Sequence, residues 1–273
     1  MQKKQNVDLY NKYDDGLGGA YERVAIFHVL DRFCKLNNVK KILELNATFI
    51  CGVPAFSSAL LALAGYEVTI LVHSRDYKDA VNIWKGAGLI DRVQIIEHNN
   101  DLHTNLESNS FDLVWNHLVI EQYDRPSPLE LLLEMKRLSR KLVYTSTLNP
   151  YGVGYWIHNL VHKIGKKPWD HGSIKLMTIS GMKEYFEKAN LKIIDSNGVD
   201  NPPWLDTGDS MIQGSMTYVK NAVGKKWIWS ILDPDIARYL PIRLLANIEN
   251  NLPSWFKQLT AHHLYVLGEK KSD

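Results

Sequence analysis

Cysteine is nearly missing from this sequence: Cys34 and Cys51 are the only two in 273 residues. That is too few for a disulfide framework or a cysteine-rich zinc site, and it suits a reducing compartment. An excess of charge is missing as well, since 32 Lys and Arg stand against 30 Asp and Glu for a net charge of +2. This balance argues against a nucleic-acid partner, whose phosphates call for a strongly basic surface. No apolar run approaches the roughly 20 residues needed to span a bilayer. The opening stretch "MQKKQNVDLYNKYDDG" carries basic residues with no apolar segment behind them, so no secretory signal is expected there. Also lacking are a Gly-x-Ser-x-Gly elbow, a P-loop, a glycine fingerprint for NAD, internal repeats and low-complexity tracts. The expectation is a cytoplasmic protein, at most peripheral to a membrane.

What is present is regular alternation. In "YERVAIFHVLDRFCKL" the residues Ile26, Val29, Leu30, Phe33 and Leu36 recur at helical spacing, with "NN" as a stop. "KKILEL" reads as a first strand, "AFSSALLALAG" as a helix closed by Gly65, and "YEVTILV" as a β-branched second strand. "RDYKDAVNIWKGAG" and "DRVQIIEH" supply the next helix and strand, and "SFDLVW", "SPLELLLEMKRLS" and "RKLVYTST" continue the series, with Pro128 in a first helical turn. "TISGMKEYFEKANLKIIDS" adds a helix, capped by Thr178 or Ser180, and another strand, and "HHLYVLGEKK" adds the last strand. Strands this apolar have no wet face, which predicts a parallel sheet covered by helices on both sides. Ligands bind such sheets at the carboxyl ends of the strands.

The order of these segments resembles the class I S-adenosylmethionine-dependent methyltransferases. "FDLVWNHLVIEQYDRPSPLELLLEMKRLSRKLVYTSTLNP" is similar to the family's block from the fourth strand through the fifth, and "LKIIDSNGVDNPPW" to its sixth strand and exit. The resemblance spans roughly residues 40–206 plus the last strand. It implies a doubly wound, Rossmann-like α/β sheet of seven strands in a single domain over residues 1–273, with an N-terminal helix and a helical cap from insertions at about 148–177 and 197–261. It also implies S-adenosylmethionine as cofactor and methyl transfer to a small-molecule or lipid-like, apolar acceptor. The alternative is a catalytically inactive relative, a scaffold for a protein partner.

The family's first loop is typically Glu-x-Gly-x-Gly-x-Gly, yet counting from Glu44 its glycines fall on Asn46, Thr48 and Ile50. Two readings stay open. Either the loop is lengthened, with Cys51 and Gly52 making the close approach to cofactor and Ser57 or Ser58 opening the helix, or side chains fill the cofactor's space, because β-branched Thr48 and Ile50 resist positive φ. The acidic residue that ends the family's second strand is Val72 here, leaving His73, Ser74 or Asp76 to reach the ribose. Asn99 or Asp101 suits the adenine amino group. Asn116 and His117 are expected to line the same crevice. The resemblance thus implies cofactor contacts from Glu44, Asn46, Cys51, Gly52, His73, Asn99 and Asn116.

Methyl transfer often needs a base for the acceptor's proton. "YGVGYWIHNLVHKIGKKPWDHGS" contains His158 and His162 one helical turn apart, and His171 beside Asp170, a carboxylate placed to orient its ring. A histidine pair without a third ligand makes an incomplete shell, so no metal is expected. The second insertion sets Trp227, Trp229, Trp255 and Phe256 among Lys225, Lys226, Arg238, Arg243 and Lys257. We expect these aromatics to pack inward as a cap over an apolar acceptor, with contact at a membrane surface as the alternative.

Overall fold

The computed structural model describes residues 16–47, 49–50, 53–99, 102–123, 128–165, 172–201, 233 and 235–271. Helix α1 (Gly16–Leu36) is followed by Asn37 and Asn38, the latter at φ 49°, a conformation an asparagine tolerates. A seven-stranded sheet then forms from β1 (Lys41–Glu44), β4 (Glu67–His73), β5 (Val93–His98), β6 (Phe111–His117), β7 (Ser139–Leu148), β8 (Leu191–Val199) and β9 (His263–Lys270). Its order is β5-β4-β1-β6-β7-β9-β8. A separate two-stranded ribbon pairs β2 (Phe49–Ile50) with β3 (Val53–Pro54).

The expected parallel sheet holds from β5 across to β7, and fails at β9, which runs antiparallel to both β7 and β8. The cause lies at the exit of β8: His262 N donates to the Asp200 carbonyl at 3.0 Å, so β9 begins where β8 ends and must run back along it.

Alternation of side chains along the strands sorts the core into two layers. Ile42, Val68, Ile70, Trp115 and Tyr144 face α1, α2 (Ala59–Leu63), α3 (Ser74–Gly86) and α7 (Leu240–Asn251). Leu43, Leu71, Val114, Val143 and Val266 face α4 (Pro128–Leu138) and α6 (Ile179–Lys188). Gly65 at φ 94° follows α2, and Thr178 rather than Ser180 caps α6, its hydroxyl accepting from Gly181 N at 3.0 Å. The first insertion contains α5 (Val153–Ile164).

The second insertion starts later than expected, because Asn197, Gly198 and Val199 still pair with Tyr265, Leu264 and His263. Its described helices are α7, packed on α1, and α8 (Ser254–Thr260), packed on β8. The inward packing expected of its aromatics does not occur in α8: Trp255 is 63% and Phe256 36% exposed. Contact with β8 is made by the helix backbone, since the Lys257 carbonyl lies where a Cβ on Gly198 would stand at 2.2 Å, and the Trp255 side is left outward. Trp227, Trp229, Lys225 and Lys226 lie outside the described residues. Among the described residues no helix is long and apolar enough to cross a membrane.

Candidate functional site

The carboxyl ends of β1, β4, β5, β6 and β7 share one edge of the sheet, and the start of antiparallel β9 joins them there. At β1, Glu44 is buried and its Oε2 accepts from Ser58 N at 3.1 Å and Ser58 Oγ at 2.6 Å. Burial pushes its carboxyl up to about 7, against the pull of Ser58 and Arg23. Ser58 does precede α2, but its hydroxyl serves Glu44 and makes no capping bond. Glu44 therefore fastens the far end of the loop back to the strand it leaves.

Asn46 takes φ 56° at the first of the three glycine positions. Its Nδ2 donates to Tyr123 Oη at 2.8 Å, while Leu45 N and Ala47 N reach the Trp115 and Leu71 carbonyls, each at 2.9 Å. An asparagine thus makes the left-handed turn that the family gives to glycine. Ile50, at the third position, sits in the β2–β3 ribbon, paired with Val53. Beyond the ribbon, Ala55 at φ 50° presents its carbonyl to Trp84 Nε1 at 2.8 Å, and Phe56 packs on the Trp84 ring. Thr48, Cys51 and Gly52 lie outside the described residues.

Val72 is fully buried and offers no acceptor. His73 caps α3, its Nδ1 accepting from Arg75 N at 3.2 Å, and Asp76 pairs with Arg75. Asn99 stands exposed in the bend after β5. Asp101, Asp170 and His171 fall outside the described residues, as do the side chains of His158 and His162 on α5.

Asn116 and His117 do not line one crevice. Successive strand residues point to opposite faces, and Asn116 turns toward α4, where it bonds Met135 Sδ at 3.3 Å and accepts from Thr145 Oγ1. His117 turns toward α1, with Nδ1 2.7 Å from Ser146 Oγ and Nε2 3.2 Å from Glu22 Oε1. Beyond β6, in the 3-10 turn Ile120–Gln122, Glu121 is 1% exposed, with the Thr147 hydroxyl and the Leu148 backbone as its weak polar neighbours. Burial pushes its pKa up to about 8.

Next to His117 the fold gathers a second polar group. The rings of His117 and His263 lie 4.5 Å apart and those of His262 and His263 4.2 Å apart, and His262 Nδ1 is 3.2 Å from Asp200 Oδ2. One ligand atom from each of Glu22, Asp200, His262 and His263 falls within 4.8 Å of the others. Burial holds the His117 and His263 imidazoles below their ordinary range and pushes Asp200 up to about 7. Asp200 adopts φ 71°, held by Glu249 of α7, whose Oε1 accepts from Asp200 N at 3.0 Å and Oε2 from Asn201 N at 3.1 Å and from Tyr21 Oη. The doubled histidine of "HHLYVLGEKK" was the visible trace of this group in the sequence. Its partners come from α1 and from the end of β8, which only the strand order brings near.

No family model matches the sequence, and no curated protein matches it. Solved structures do share its fold. A protein assigned as a sarcosine dimethylglycine methyltransferase from Galdieria sulphuraria superposes with a TM-score of 0.51 at 15% identity, over 89% of this chain and 84% of that one. A chain from the complex of the Haloferax volcanii Trm112 methyltransferase activator with a methyltransferase gives 0.51 at 13% identity, over 92% and 90%. The cyclase SpnF gives 0.51 at 11%, over 90% and 81%. With its sheet order and its β1 loop, the chain has the fold of the class I S-adenosylmethionine-dependent methyltransferases.

Proposed function

We propose that this protein binds S-adenosylmethionine and transfers its methyl group to a small-molecule acceptor with an apolar body. The observation that carries the reading is the left-handed Asn46 at the end of β1. It keeps the turn that lets the backbone approach a cofactor, although the sequence has replaced the glycine. Glu44 and Ser58 brace this loop, and Asn46, Cys51 and Gly52 are assigned to the cofactor. At the ribose end the strand-final acceptor is missing, and His73 is the nearest polar replacement; Asn99 is assigned to the adenine and Asn116 to a supporting role behind the crevice. Bound S-adenosylmethionine would supply an activated methyl on sulfur. His171, next to Asp170 in sequence, is assigned to take the acceptor's proton.

An apolar acceptor is supported by a groove at the same sheet edge, lined by Tyr151, Ile179, Trp255, Leu259 and Leu264. A second reading, contact with membrane lipids, is favoured by the outward side chain of Trp255. Calorimetric titration with S-adenosylmethionine and S-adenosylhomocysteine tests the cofactor. We expect micromolar binding by the native protein and its loss in Gly52→Val, a loop substitution that should leave the fold intact. Silence toward both ligands in the folded native protein would overturn the reading and favour a scaffold for a protein partner.

A further inference from the structure

A donor set of metal-ligating composition gathers beneath α1. It combines two carboxylates, from Glu22 and Asp200, with two imidazoles, from His262 and His263, and all but His262 are nine-tenths buried or more. Two acidic groups in such a place are costly unless a cation or shared protons offset them. His117 and His262 each offset one carboxylate oxygen, Glu22 Oε1 and Asp200 Oδ2, and other atoms of the group stay bare. His263 Nδ1 and Asp200 Oδ1 are buried without a hydrogen-bond partner, although both belong to side chains turned into the cluster. A buried imidazole nitrogen and a buried carboxylate oxygen left bare on two residues of one donor group are what a metal ion would satisfy.

We propose that Glu22, Asp200, His262 and His263 form a binding site for a divalent transition-metal ion of the zinc class. Two imidazole nitrogens select such an ion over magnesium or calcium, which take oxygen ligands. Zinc bonds of about 2.0 to 2.2 Å place neighbouring tetrahedral ligands roughly 3.4 Å apart. The observed donors lie within 4.8 Å of one another, so small rotations of the two acidic side chains close the shell. His117 supports the ligand set, its Nε2 holding Glu22 Oε1 at 3.2 Å while its Nδ1 is fixed by Ser146. Glu249 does the same for Asp200 through the backbone. The His262 side chain is 13% exposed and gives the ion a route in from solvent. With four protein ligands the site is closed and structural in type, and it ties α1 to the ends of β8 and β9.

The test uses the whole protein after treatment with a chelator. Titration with Co2+ should develop the visible absorption of a four-coordinate site and saturate at a single equivalent. Zn2+ should displace the cobalt and raise Tm by about 5 °C when present at about a hundredfold over its Kd, whereas Mg2+ should do neither. Glu22→Gln and His263→Gln should each weaken cobalt binding by about tenfold or more. Glu22→Gln retains a hydrogen-bond acceptor for His117, and circular dichroism shows whether each variant is folded. Absence of the cobalt spectrum in the folded native protein would overturn the proposal. So would an undiminished response in either folded variant, because the ion would then sit on other ligands. Should both variants unfold, the native cobalt spectrum and its stoichiometry decide.

Discussion

Asn46 holds φ 56° and gives its amide to Tyr123, so two separate contributions keep the β1 turn in place. Substitution by alanine loses both, the backbone tolerance and the hydrogen bond, and should cost about 2 kcal/mol. Substitution by glycine loses the bond and relieves the backbone, and should cost under about 1 kcal/mol. Urea unfolding of the two variants compares them, and equal losses would show that the left-handed turn carries no strain. Glu121 supports a second prediction at this scale. Its folded-state pKa of about 8 lies above the ordinary 4.5, because burial disfavours the charged form. A raised pKa contributes stability that is fully present below about pH 4.5 and lost as pH rises through 8. Relative to Glu121→Gln, the native protein should therefore lose about 4 kcal/mol between pH 5 and pH 9. Other acids titrate in both proteins and cancel in the difference. Stability curves that run parallel across this range would contradict the assignment.

Among the elements, α8 rests on β8 at a point with no room for a side chain. A Cβ on Gly198 would lie 2.2 Å from the Lys257 carbonyl and 2.7 Å from the Ala261 Cβ. Asn149 tethers the other side of the helix, donating to the Gln258 and Ala261 carbonyls at 3.0 and 2.8 Å. Gly198→Ala should lift α8, destabilise the protein by about 1 to 3 kcal/mol and expose the segment around Lys257 to trypsin. An unchanged digestion pattern would mean that the helix shifts along the strand at no cost. Elements of this kind also mark the limit of what the sequence discloses. Strands such as "YEVTILV" and helices such as "SPLELLLEMKRLS" were legible because period and composition are local properties. The antiparallel β9 was hidden, since its direction follows from a hydrogen bond between Asp200 and His262 across an insertion. The turn at Asn46 could be located from Glu44, but its left-handed backbone could not, because asparagine occupies several conformations and only the packing around Tyr123 selects one. The grouping of Glu22 with His263 arises only when α1 packs on the sheet where β8 and β9 meet.

For the molecule as a whole, apolar side chains stand exposed on three helices: Trp156 and Leu160 on α5, Leu244 and Ile248 on α7, Trp255 and Leu259 on α8. Lys257 and Arg243 accompany them in sequence. If the exposed Trp255 and its neighbours on α8 meet lipid, the protein should sediment with anionic vesicles, bind less as salt screens charge over a Debye length of about 10 Å at 0.1 M, and keep a salt-resistant fraction that Trp255→Ala reduces. No sedimentation at any salt concentration would leave Trp255 to the acceptor groove. The position of β9 between β7 and β8 has another consequence, for the order of assembly in the cell. As the chain leaves the ribosome, β8 appears before the strand that will hold it, and it has no neighbour in the sheet until the insertion and β9 have followed. During that interval β7 also presents a bare edge, open to pairing with a strand from another chain. A ribosome stalled within the insertion would therefore hold a nascent protein whose first five strands can pair while both edges meant for β9 remain available, which makes this the stage of synthesis at which chaperone capture matters most.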